Sequence, residues 1–280
     1  MSKVRFVVVF LFVAVFGRVA TAGVPLTNLE GVGGVAFNPL AYPANPGSSL
    51  GDPNSDLGKI LGRPQIGGWY VNLGESKIDW TSIGIAETFA KRLEVSFGHE
   101  SISPSGAENI SKESIGAKLL LIQENAFGDW SPAVSAGVIS KHTSPIQIVP
   151  TANSSGYDYY LVATKFIKDL LPRPVVISGG VLSTDGYTTG VLGYSDDRDT
   201  TWFANADLLV RDDVAVGLEY KQGAQFNDGF KNADYWDAHV AWFVNKNLTL
   251  VAAYVNAGDE KSSDKVGFGE GLVLSAQYAF

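Results

Sequence analysis

Apolar and polar residues alternate with a period of two along most of the chain beyond Ile66, the spacing of strands whose side chains point to opposite faces. The C-terminal stretch from Gly271 states it most clearly. Leu272, Leu274, Ala276, Tyr278 and Phe280 share one face, and Gly271, Val273, Ser275, Gln277 and Ala279 the other. The pattern predicts twelve strands, at 66–74, 78–89, 91–101, 112–124, 130–142, 156–168, 174–184, 201–211, 213–224, 233–244, 246–257 and 269–280. Their connections alternate. Long polar links (102–111, 143–155, 185–200, 225–232 and 258–268) are separated by tight turns at Ala90, 125–129, 169–173, Asp212 and Asn245. Outer-membrane barrels alternate long outer loops with short periplasmic turns in this way, whereas sandwiches need not. The short link 75–77 is the exception. The predicted fold is all-β: an antiparallel up-and-down transmembrane barrel of about twelve strands.

Facing follows from parity. Trp236, Ala238, Val240 and Trp242 should meet lipid, with Asp237 and His239 inside; Val214, Val216, Leu218 and Tyr220 oppose Glu219 and Lys221. Leu93, Val95 and Phe97 oppose Arg92 and Glu94; Ile115, Ala117, Leu119 and Leu121 oppose Lys118; Trp202, Ala204, Ala206, Leu208 and Val210 oppose Asp207 and Arg211. The lumen-lining set is therefore Arg92, Glu94, Lys118, Asp207, Arg211, Glu219, Lys221, Asp237 and His239. Turning a charge to lipid at mid-depth would cost ~2–4 kcal/mol for Arg or Lys. Strands 78–89, 156–168 and 174–184 carry apolar residues on both faces, and parity does not sort them. Aromatics sort into two belts: Trp80, Trp202, Tyr220, Trp236 and Tyr254 toward the outer rim, Trp130, Trp242, Tyr278 and Phe280 toward the inner one. Tyr278 and the terminal Phe280 have the form of the C-terminal signal by which outer-membrane barrels are assembled, which implies the barrel-assembly machinery as a partner. Twelve strands ~4.8 Å apart and tilted ~40° give a backbone diameter of roughly 24 Å, a bore for small solutes.

Ahead of the strands, residues 23–64 are too rich in glycine and proline for a long regular element. Asn28, Gly31, Gly33, Gly34, Phe37 and Tyr42 form a segment apolar enough to pack against something, and the barrel interior is the nearest place. The glycine cluster is a poor phosphate loop, with no strand before it and Pro39 soon after. Residues 1–22 read as a secretory signal: Lys3 and Arg5, an apolar run from Phe6 to Phe16, then Ala20-Thr-Ala22.

Composition narrows the chemistry. The formal charge is −8; removing Lys3, Arg5 and Arg18 with the signal leaves 18 basic against 29 acidic residues, about −11, which disfavours nucleic acid as a partner. With no cysteine, thiol catalysis and thiolate metal sites are excluded. His99, His142 and His239 lack metal-ligand spacing, so no metal and no cofactor are expected. His142 and Ser144 have no nucleophile motif around them, and no acid, base and nucleophile can be assembled into an enzyme. Acidic loop residues Asp185, Asp196, Asp197, Asp199, Asp259, Glu260 and Asp264 could bridge to lipopolysaccharide through divalent ions, although solvation explains such charge runs as well.

The mature start, Pro25-Leu-Thr-Asn-Leu-Glu-Gly-Val-Gly-Gly-Val-Ala-Phe-Asn-Pro-Leu-Ala-Tyr-Pro43, followed by strands to a terminal aromatic, resembles a Gram-negative outer-membrane β-barrel family that carries a domain-of-unknown-function label. The resemblance implies a compartment, the bacterial outer membrane, and a fold; it implies no catalytic residue and no ligand. Two functions then compete: a porin-like channel for small polar solutes, or a plugged barrel serving as an envelope anchor or as an accessory in assembly or polysaccharide export.

Overall fold

The computed structural model describes residues 26–146, 149, 152–168, 172–258 and 264–280. The signal-peptide reading of residues 1–22 and the loop acids Asp259 and Glu260 lie outside these residues. Twelve strands close into one antiparallel barrel: β1 (Gln65–Leu73), β2 (Ile78–Phe89), β3 (Leu93–Pro104), β4 (Ile110–Ile122), β5 (Ala133–Ser144), β6 (Ser155–Ile167), β7 (Val175–Gly186), β8 (Tyr194–Arg211), β9 (Val214–Lys221), β10 (Tyr235–Phe243), β11 (Leu248–Asn256) and β12 (Glu270–Ala279). Each strand pairs with its sequence neighbours, and β1 closes onto β12 from Gln65↔Ala279 to Asn72↔Leu272. No sheet edge remains, so strand backbone groups are satisfied within the wall, the condition for crossing a bilayer without helices. Among the described residues no helix is long and apolar enough to cross a membrane, and the crossing falls to the strands.

The outer surface is apolar at mid-height. Ile83, Phe97, Ile115, Leu161, Leu218 and Leu274 are all exposed there. Aromatic pairs frame the belt: Trp202 with Tyr220 and Trp236 with Tyr254 toward the long loops, Tyr278 with Phe280 at the opposite end. Trp80 is a correction to the belts. It is 7% exposed and points inward with Ile78 and Ser82, while Ile83 and Ile85 take the lipid side of β2. Trp130 sits in the turn between β4 and β5, exposed.

β8 is the longest strand because it begins at Tyr194, within the stretch 185–200 read as a long polar link. At its other end a bulge between Leu209 and Arg211 shifts the register from Leu209↔Ala215 to Arg211↔Val214. One inserted residue exchanges the two faces of a strand. Arg211 therefore leaves the lumen face and pairs with Asp213 at the rim.

The core of the molecule lies inside the barrel. Trp69, Val71, Leu73, Ile102, Val251, Val255 and Val273 turn inward and pack around Leu26 and Ala36, while Leu120, Ile139, Tyr160, Val162 and Phe203 pack around Val32 and Ala41. A short helix α1 (Asp56–Ile60), capped by Ser55, sits at the inner mouth, where Leu61 bridges to Phe89 at the end of β2.

Candidate functional site

Residues 26–45 cross the bore, and glycine lets them approach the wall backbone to backbone. Gly84 and Gly98 are cross-strand partners on β2 and β3 and leave a bare patch on the inner wall. A Cβ on Gly98 would stand 2.5 Å from Glu30 O, and one on Gly84 2.6 Å from Gly31 Cα. Gly31, at φ +83°, could carry a Cβ only 2.4 Å from Phe97 O. Glycine inside a strand commonly marks such an approach of another backbone.

A segment without regular structure brings unpaired amides and carbonyls into the interior, each of which needs a partner. Wall side chains supply them. Glu219 accepts from the amides of Ala36 and Phe37 at 3.1 Å and of Asn38 at 3.4 Å. Glu94 accepts from Gly33 N (2.8 Å) and Ala44 N (2.6 Å), and Lys118, 2.8 Å from Glu94 Oε2, donates to Gly33 O. Ser82 donates to Leu29 O, Trp69 Nε1 to Thr27 O, and Ser135 to Ala41 O. Thr164 Oγ1 accepts from Ala41 N, and Gln277 Oε1 from Thr27. Asn38 Nδ2 reaches the wall itself, donating to the carbonyls of Ala204 and Tyr220.

Glu30 is the charged centre of the segment. Its Oε1 receives the ammonium of Lys112 at 2.8 Å and that of Lys141 as well. Behind them Lys112 stands 3.0 Å from Glu100 and Lys141 2.6 Å from Asp158, so five buried charges form one chain along the inner face of β3 to β6. Burial by itself would raise the Glu30 carboxyl, but Lys112, Lys141 and Lys221 outweigh it and hold the group well below the usual carboxylate range. A second polar cluster lies on the opposite wall. His239 faces Asp237 through Nδ1 and Asp207 through Nε2, each at 2.7 Å, and Asn205 Nδ2 donates to Asp207. Both ring nitrogens can donate at once only in the imidazolium.

The mouths are narrowed as well. On the outer side the 3₁₀ turn Tyr187–Gly190 folds over the lumen, with Gly190 O bonded by Thr143 and Thr188 N by Asn232, and Tyr187 packs on Phe226 and Phe230. On the inner side Asn45 ties the segment to the carbonyls of Arg63 and Phe280.

Of the lumen-lining set, Glu94, Lys118, Glu219, Lys221, Asp237 and His239 are buried inside, and Asp207 is half-buried beside His239. Arg92 lies exposed in the turn after β2, donating to Leu120 O, and Arg211 is at the rim. Asn28, Gly31, Gly33 and Gly34 are buried, and Phe37 and Tyr42 half-buried; Tyr42 donates to Glu124. Tyr278 and Phe280 face outward. Lys112, Glu100, Lys141 and Asp158 escaped the sequence reading. Lys112 and Glu100 carried a signal, since they share parity with Lys118 and Glu94. Among the described residues no group of histidines and carboxylates could hold a metal ion.

Against known proteins, residues 25–277 match the family model described as Protein of unknown function (DUF3034). The chain belongs to that family. A comparison with curated proteins finds no match. Among solved structures, the KdgM porin is similar at 13% identity, with 77% of this chain and 99% of that one covered and a TM-score of 0.52. The NanC porin (13% identity, 78% and 98% covered, TM-score 0.48) and the Acinetobacter baumannii outer membrane protein Omp33 (11%, 79% and 100%, TM-score 0.47) are further likenesses. At 13% identity it is the fold alone that is shared with the KdgM porin. The closed barrel and its apolar belt make the chain a bacterial outer-membrane protein, in contact with lipid around its girth.

Proposed function

We propose that this barrel is a porin-like channel for small polar solutes, held shut by residues 26–44. The observation that carries the reading is the way the segment is held: apart from Asn38, its polar contacts to the wall described above are made to side chains, Glu94, Lys118, Glu219, Lys112 and Lys141 among them. Water and solutes can take over such contacts when the segment withdraws, and the vacated wall is then a charged, hydrated bore. These charged groups are engaged with the segment, so the reading assigns no catalysis to them. Tyr278 and Phe280 are the contacts offered to the barrel-assembly machinery, and the acidic outer loops those offered to lipopolysaccharide.

A second reading is favoured by the packing of Val32 and Ala41 among Leu120, Ile139, Tyr160 and Phe203. Burial of that kind suits a permanent plug, in a barrel that serves as an anchor or as an accessory in assembly or polysaccharide export. Liposome swelling in a small neutral sugar separates the two. The channel reading expects slow swelling with the intact chain and fast swelling with residues 26–44 deleted. No swelling from a folded deletion barrel would end it. Swelling from the deletion form alone, with the intact chain silent under every condition, would favour the anchor.

A further inference from the structure

The inner wall carries its charge unevenly. On β3 to β6 each lysine keeps a carboxylate of the wall itself, with or without the luminal segment: Lys118 has Glu94, Lys112 has Glu100 and Lys141 has Asp158, at 2.8, 3.0 and 2.6 Å. That side is neutral. The inward face of β8 to β10 holds Asp207, Glu219 and Asp237 against His239 and Lys221. His239, as the imidazolium, is engaged between Asp237 and Asp207. Gly217 makes room for that bridge, since a Cβ there would stand 2.4 Å from both Asp207 Oδ1 and His239 Nε2. Lys221, one inward position beyond Glu219 on β9, lies in the field of Glu30 and Asp158 and makes no ion pair with Glu219 among the described residues. This side of the wall therefore has one carboxylate more than it has cations.

The odd carboxylate is Glu219, and its neighbours in the ladder repeat its chemistry. Asn205, Glu219 and Asp237 are cross-strand partners on β8, β9 and β10, so three acceptor side chains stand in one row. Two of the row's oxygens have no donor, Asn205 Oδ1 and Asp237 Oδ2, on residues only 4% and 1% exposed. Glu219 is satisfied by the amides of Ala36, Phe37 and Asn38, and those leave with the segment. Successive N–H dipoles converging on one carboxylate act on it as a positive charge does. In a water-filled bore Glu219 is an ordinary ionised carboxylate at neutral pH, with that partner gone. We propose that Asn205, Glu219 and Asp237 form a binding site for small monovalent cations in the opened bore, and that residues 36–38 stand in for the cation while the bore is shut. Such a row attracts a cation by charge without enclosing it, as the acidic rings of cation channels do. The inference rests on the channel reading and deepens it by naming the class of solute.

Reversal potentials in planar bilayers at neutral pH test this on the full chain, in the parent and with Glu30→Gln, across a gradient of potassium chloride and then of methylammonium chloride. Both cations should pass in preference to chloride by about fivefold, the discrimination that a unit charge ~4 Å from an ion gives in water. Glu219→Gln should abolish the preference and Glu219→Asp should keep it, while Asn205→Asp, which adds a charge to the same row, should raise it. Equal passage of chloride, a preference for chloride, or a ratio unmoved by both Glu219→Gln and Asn205→Asp would overturn the site and leave the channel standing. Rejection of methylammonium beside potassium would count against a site that reads charge alone. Silence from the parent and from Glu30→Gln alike would overturn the channel reading, and the site with it.

Discussion

Lys112 Nζ, on the barrel wall, stands 2.8 Å from Glu30 Oε1, on a segment 82 residues earlier in the chain that the wall encloses. Breaking one side of a buried pair strands the other charge, at ~3–5 kcal/mol. Glu30→Gln should accordingly weaken docking of residues 26–44 by ~3 kcal/mol while leaving the strand ladder intact. Limited proteolysis should then cut within 26–44 far faster than in the parent, with the barrel fragment still resistant; unchanged cutting would count against Glu30 as an anchor.

Steric fit gives an independent handle. Gly31→Ala places a Cβ 2.4 Å from Phe97 O at a backbone φ of +83°. The left-handed conformation alone costs a non-glycine residue ~1–2 kcal/mol, and the backbone carbonyl cannot step aside. The variant should fold to the same barrel by circular dichroism yet show raised conductance. A normal current would mean that the close approach at Phe97 does not hold the segment in place.

Acid should act through Glu30. Its docked carboxyl is held below its ordinary value, so the stabilisation it lends to docking is complete above that value, about 4.3, and is lost as pH falls further toward the docked pKa. From pH 8 to 6 this group should leave conductance unchanged. Below about pH 4 conductance should climb, and Glu30→Gln should flatten that climb.

The lipid face can be tested at Leu218, 60% exposed at mid-height. Leu218→Arg should destabilise the folded barrel by ~2–4 kcal/mol in denaturant titration from bilayers. Arg211→Leu, at the rim, should fall within about 0.5 kcal/mol of the parent. Equal effects would contradict the assigned facing.

Much of the wall was legible because lipid tolerates so little. Leu218 and Tyr220 against Glu219 and Lys221 could be sorted by parity alone, and so could Leu272 and Leu274 against Ser275 and Gln277. Parity was silent for β2, β6 and β7 because their inner face is not a wet channel wall. Trp80, Tyr160 and Val162 are buried against the luminal segment or its apolar surroundings, so both faces read as apolar. Trp80 was misplaced for that reason. Arg211 was misplaced because a bulge leaves no mark in the alternation before it, and Arg92 because a turn was counted as strand. The Glu30 chain was half legible. The inward parity of Lys112 is plain in the sequence, but nothing there reveals that Lys112 and Lys141 meet on one carboxylate from outside the barrel strands.

The central claim is that the bore is shut by a segment that can leave it. The chain has no cysteine of its own, and a Cβ on Gly116 would lie 2.9 Å from Val32 Cγ2, so Val32→Cys with Gly116→Cys sets the segment within disulfide reach of β4. Single-channel recording of this variant in planar bilayers, oxidised and then reduced on the same membrane, is the most direct measurement. The account expects silence while the bond holds and openings once reductant is added. Openings of equal size and frequency in both states would contradict it.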